Sequence, residues 1–112
     1  MTLEKDGCLL RIFVGESDKQ GGKPLYEWIV RKAREEGLAG TTVVRGIMGF
    51  GANSRMIHTF KIERLSEDLP VIIEIVDSRE KLERFLYSIE KQVQAGLLAT
   101  LEKAEIHIYR TS

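Results

Sequence analysis

Pro70-Val71-Ile72-Ile73-Glu74-Ile75-Val76-Asp77, followed at helical spacing by Leu82, Phe85, Leu86, Ile89 and Val93, decides the fold class of this chain. The first run is short, apolar and β-branched, which suits a pleated strand buried on both faces. Proline opens it where a missing N–H does least harm. Asp77 is the expected N-cap of the helix, with Glu80 three residues on completing a capping box. Gly96 is expected to end the helix. A strand running straight into an amphipathic helix is half of a βαβ unit.

Working outward, the same pattern appears once more. Cys8 to Val14 reads as a central strand closed by Gly15, and Glu16 to Lys23 as a polar, glycine-rich loop. Pro24 suits the first residue of a helix whose apolar face is Leu25, Trp28, Ile29 and Ala33, with Gly37 as its stop. Thr41 to Met48 predicts a second strand containing Gly46, a position that marks a bulge or a close contact. Gly49 to Arg55 is a loop by composition, His58 to Ile62 a short extension strand, and Ser66 to Asp68 a turn. Ala104 to Tyr109 is the expected last strand, with Ile106 and Ile108 toward the core. The order strand, helix, strand, strand, helix, strand predicts an α+β, ferredoxin-like βαββαβ sandwich. Its antiparallel sheet carries two helices on one face. One domain is expected over residues 1–112. Several strands are apolar on both sides, so the face away from the helices is expected to be covered by another subunit of a homo-oligomer.

Composition excludes several classes. The chain is 43% hydrophobic and 30% charged, which is neither disordered nor membrane-embedded. Seventeen basic residues balance seventeen acidic ones, so there is no basic excess of the kind that binds nucleic acid. No apolar run is long enough for membrane insertion, and the charged segment Met1 to Asp6 is unlike a signal peptide, so a cytoplasmic location is expected. Cys8 is the one cysteine, which rules out an internal disulfide and suggests a packed thiol.

The richest candidate site is Arg45-Gly46-Ile47-Met48-Gly49-Phe50-Gly51, continued by Ala52-Asn53-Ser54-Arg55. Glycines let a backbone approach a ligand closely, and successive N–H groups can cradle an anion. The same composition also makes an ordinary turn after a bulged strand. It lacks the Gly-Lys-Ser/Thr ending of a Walker A loop and the spacing of a dinucleotide fingerprint. Cys8, His58 and His107 have no zinc-like spacing, so no metal ligand is assigned. No serine stands in a nucleophile-elbow context, so no catalytic residue is assigned and the chain is read as a non-enzyme. Glu74, a carboxylate in an apolar strand, needs a partner, which Arg11 or Arg45 can supply as a structural ion pair. The entry loop with Lys19 and Lys23, beside a helix N-terminus, is either an anion site or a solvated loop.

Val43 to Gly51 and Leu69 to Val76 together resemble the bacterial family called domain of unknown function one-ninety, which belongs among the PII-like proteins. The match runs from about Leu3 to Tyr109, and Lys23 to Glu27 and Gly51 to Arg55 fit it as well. The resemblance implies a PII-like regulatory, ligand-binding trimer, with a small anionic or nucleotide ligand in clefts between subunits. It places Gly49, Phe50 and Gly51 at the cleft beside Gly46, and Asn53, Ser54 and Arg55 at the start of a partner-contacting loop. Lys61 is the basic side chain on that loop's far limb. It also implies a membrane-transport protein as partner. The chain departs from PII proteins at Ala52, where they carry arginine, and at Gly96 to Glu102, where they carry a phosphate loop. It has no tyrosine between Phe50 and Leu69 and no basic tail after Arg110. These departures favour a different small ligand in the same cleft over PII-type ATP binding, and no cofactor is assigned. Two alternatives share the fold. One is a metal-tolerance protein resembling the trimeric copper-tolerance proteins, which requires Cys8, His58 or His107 to converge. The other is a small acyl phosphate hydrolase, which requires an arginine in the loop that here holds Lys19 and Lys23.

Overall fold

A computed structural model describes residues 6–49, 69–93 and 96–107. Its frame is a four-stranded antiparallel sheet. The strands are β1 (Asp6–Gly15), β4 (Thr41–Arg45), β5 (Pro70–Asp77) and β6 (Leu98–Glu105), in the order β4-β5-β1-β6. Two helices join them, α1 (Leu25–Glu35) and α2 (Arg79–Gln92). This is the ferredoxin-like βαββαβ arrangement that the sequence predicts.

Register explains where the core lies. Leu10 pairs with Ile75 and Leu101, and Ile12 pairs with Ile73 and Ala99. Because side chains alternate along a strand, Cys8, Leu10, Ile12 and Val14 share one face with Val71, Ile73 and Ile75. That face is buried against Leu25, Ile29 and Ala33 of α1 and Leu82, Phe85 and Ile89 of α2. Both helices therefore cover the same side. Each large side chain removed from water there contributes about 1.5–3 kcal/mol.

Local chemistry sets the boundaries, and several differ from the sequence expectation. Residues 16–23 are more than a loop: β2 (Lys19–Gln20) and β3 (Lys23–Pro24) form a small hairpin. Its turn is Gly21-Gly22, at φ 59° and 79°, the positive values that a two-residue hairpin of this hand needs. Pro24 ends β3 and caps α1 from outside, so the helix begins at Leu25. Gly37, at φ 74°, stops α1 as expected. Its N–H donates to the Arg34 carbonyl, and the Leu38 N–H donates to Ala33, a Schellman pattern. The second main strand ends at Arg45, short of Met48. Helix α2 ends at Gln92, before Gly96. The last strand is Leu98–Glu105, which begins well before the expected start at Ala104. Ala99 and Leu101 are its core-side residues. Ile106 follows the strand and lies against Gly7, leaving no room there for a Cβ. Ile108, Tyr109, His58 to Ile62 and Ser66 to Asp68 fall outside the described residues.

The N-cap of α2 is also corrected. Ser78 holds that position, its Oγ accepting from the Lys81 N–H at 3.3 Å. Asp77 stays in β5 with an odd number, hence on the helix side, and it is fully buried. Its carboxylate accepts from the Ser78 N–H at 2.6 Å and the Ala39 N–H at 3.0 Å, tying the entry of β4 to the start of α2. Asp77→Ala strips both donors of this acceptor. A loss of about 1–3 kcal/mol in all is expected for removing this charged acceptor from the two part-buried donors. Urea denaturation measures it, and a change below about 0.5 kcal/mol would show that water replaces the carboxylate.

Candidate functional site

Three chain segments converge where β4 ends, β5 begins and β1 gives out. The Gly46 N–H donates to the Pro70 carbonyl at 2.7 Å, continuing the β4–β5 ladder one step past Arg45. Gly46 then lies so near the proline ring that a Cβ would stand 2.8 Å from Pro70 Cγ. Gly49 comes back onto the same ring: its Cβ would stand 3.3 Å from Pro70 Cγ, at a φ of 153° that side-chain-bearing residues rarely adopt. Glycine is thus needed at both positions for close approach. Between them Ile47 is 86% exposed, an isoleucine that the fold itself leaves in water.

An ion pair borders this junction. The Glu16 N–H donates to the Leu69 carbonyl at 2.8 Å, which fixes the residue just past β1 against the start of β5. Its carboxylate pairs through Oε2 with Nη2 of Arg45. Oε1 is buried and accepts no hydrogen bond among the described residues. Nothing in the sequence marked Glu16, which is separated from Arg45 by a helix and reads as loop composition.

The sheet face away from the helices has its own order. Val44, Ile72, Phe13 and Leu98 register across all four strands, one from each, in a continuous apolar row. This row lies at the same end of the sheet as Gly46 and Pro70. The next row is polar: Thr42, Glu74, Arg11 and Thr100. Arg11 Nε donates to Glu74 Oε2 at 2.9 Å, and Nη1 pairs with Glu102. Hydrogen bonding to Glu74 first and Glu102 second raises the Arg11 pKa above its ordinary value, so the guanidinium stays charged. Of the two partners expected for Glu74, the structure selects Arg11.

The predicted site residues divide accordingly. Gly46 and Gly49 come together on Pro70, whereas Phe50, Gly51, Asn53, Ser54, Arg55 and Lys61 lie outside the described residues. Lys19 and Lys23 stand exposed on the β2–β3 hairpin. At the opposite end of the sheet a cavity of about 520 Å³ is lined by Gly7, Cys8, Arg79, Lys103, Ala104 and Glu105. Cys8 is buried, with Arg79 Nη1 4.0 Å from its sulfur. Among the described residues no group of three or more His, Cys, Asp or Glu lies together as a metal site. His107 pairs instead with Glu105 at 3.7 Å. No helix among the described residues is long and apolar enough to cross a membrane.

Comparison with known proteins gives a consistent picture. The DUF190 family (domain of unknown function one-ninety), described as an uncharacterized ACR, matches residues 7–106. A UPF0166 protein of Aquifex aeolicus is 44% identical over 98 residues, which is 88% of this chain and 90% of that protein. Another from Methanocaldococcus jannaschii is 36% identical over 102 residues, 91% of each. Among solved structures, a PII-like signaling protein from Thermus thermophilus superposes with a TM-score of 0.62. It is 18% identical, over 90% of this chain and 89% of that one. CPII from Thiomonas intermedia, bound to ADP and bicarbonate, superposes at 0.56 with 13% identity, over 90% of each chain. GlnK from B. subtilis, in complex with ATP, also superposes at 0.56. It is 12% identical, over 92% of this chain and 85% of that one. At these identities the structural matches establish a shared PII-like fold.

Proposed function

The chain belongs to the DUF190 family, and from that premise we propose that it is a PII-like regulatory protein. In this reading it is a homotrimer that binds a small anionic or nucleotide ligand between subunits. The observation that carries the proposal is the paired approach of Gly46 and Gly49 to Pro70 at the base of the segment after β4. Glycine at both positions lets the main chain fold back closely on the proline ring, which shapes the base of the proposed cleft. Two proteins of the same fold are described with ligand bound, CPII with ADP and bicarbonate and GlnK with ATP.

Assembly is assigned to the open sheet face. The row Val44, Ile72, Phe13 and Leu98 is apolar from edge to edge, and Val44 and Leu98 are 44% and 53% exposed in the isolated chain. Such a strip costs free energy in water and gains it when covered by a second copy. In this proposal residues 1–112 form one domain working in the cytoplasm. Phe50 and Gly51 complete the cleft, and Asn53, Ser54, Arg55 and Lys61 belong to the segment that reports ligand to a membrane-transport partner. The protein is a binding module and not an enzyme. No observation favours the metal-tolerance or hydrolase alternatives.

Two measurements on the purified protein test this. Light scattering is expected to give about 38 kDa, three times the 12.7 kDa chain. Titration calorimetry with ADP, AMP, ATP and bicarbonate is expected to detect saturable binding of at least one of them. A monomer that binds none of the four would refute the proposal.

A further inference from the structure

We propose that Arg45, held in place by Glu16, is the residue that grips the oxyanion of the ligand, and that Glu16 is its positioning residue. This deepens the cleft reading above and rests on it. An anionic ligand at this junction needs a cation to meet it. The sequence places Ala52 after Gly49-Phe50-Gly51, so that position carries no charge. Arg45 is the residue immediately before Gly46, and β4 carries it directly to the junction.

The ion pair is asymmetric in a way that suits this role. The Glu16 side chain is only 20% exposed and is anchored through its own backbone to Leu69, whereas the Arg45 side chain is 60% exposed. The carboxylate is therefore the fixed member and the guanidinium the presented one. An arginine has five N–H donors in a rigid planar fork. Glu16 engages Nη2, which has two N–H donors; its second N–H, together with the neighbouring N–H of Nη1 or Nε, forms the fork that meets two oxygens of one group. The chemistry that matches is an oxyanion with two neighbouring oxygens: a carboxylate, a bicarbonate or a phosphate. Lysine, a point charge on a flexible stem, would not reproduce that match. Glu16 Oε1, buried without a donor among the described residues, makes the carboxylate dependent on Arg45 for its charge balance. The same dependence restrains the arginine from swinging away.

The test is calorimetric titration of the full chain and four variants with ADP, AMP, inorganic phosphate and bicarbonate. These arms separate a nucleotide's phosphate from a small oxyanion. Arg45→Ala is expected to weaken binding by about tenfold to a hundredfold, the usual worth of a charge-assisted contact. Glu16→Gln is expected to weaken it by about threefold to tenfold, because the fork loses its charged anchor. The double variant is expected to bind no more weakly than Arg45→Ala alone, since Glu16 acts through Arg45. A merely structural role for Glu16 would instead leave the two losses additive. Arg45→Lys keeps the charge and the pairing, so it serves if the alanine variant does not fold, and it should still lose about threefold or more. Wild type that binds while Arg45→Ala or Arg45→Lys binds equally well overturns this assignment and leaves the cleft reading standing. Wild type that binds none of the probes overturns both.

Discussion

Ile72→Asp is expected to convert the assembly into folded monomers. Ile72 sits between Val44 and Phe13 in the apolar row, on the face that no helix covers. In an isolated chain the new carboxylate can turn to water, so the monomer loses little. In a trimer three copies of it would be shut against apolar neighbours, and the adjacent cation on that face, Arg11, is already paired with Glu74 and Glu102. An unpaired charge in such a place costs about 3–5 kcal/mol. Light scattering at micromolar concentration should read a single-chain mass, with circular dichroism unchanged from the parent. A variant that keeps the parent's mass would show that the sheet face is not the interface.

The second large effect lies beneath the other face. Phe85→Ala should destabilise the protein by about 3–5 kcal/mol, the range for deleting a buried aromatic ring. Phe85 is fully buried at the centre of α2, in the cluster that includes Leu10, Ile12, Ile73 and Leu82. Against the total stability of about 5–15 kcal/mol usual for a domain, that loss is large. Guanidinium denaturation with the slope held constant gives the value directly. A loss below about 1.5 kcal/mol would mean that neighbouring side chains close the hole, and that this core is less tightly packed than its burial indicates.

Much of the fold was legible because the central strands and helices carry strong periodic signals. Val71 to Ile75 and Leu82 to Ile89 needed no tertiary context. The edge strand β6 was harder to see. Its core side is only Ala99, Leu101 and Lys103, so Leu98 to Glu105 carried too weak an apolar pattern to compete with Ile106 and Ile108. The cap of α2 was misread because Asp77 and Ser78 are both capable caps. Strand parity, which turns Asp77 inward, decided between them. Parity also chose the partner of Glu74. Arg45 registers with Val71 on the helix side, while Arg11 pairs with Glu74 directly. At the site, glycine pointed to Gly46 and Gly49 from composition alone. The Glu16–Arg45 pair joins residues on opposite sides of α1, and no local pattern foretold it.

The central position of β1 has a consequence for how the chain is made. It precedes the other three strands of this sheet in the chain, yet both of its hydrogen-bonding edges wait for β5 and β6, the last two of the four. At ordinary translation rates the gap between Gly15 and Glu105 lasts on the order of 5–20 s. Until β5 is made the nascent chain carries Leu9 to Val14 as an unpaired ribbon, and the second edge stays open until β6 completes the sheet.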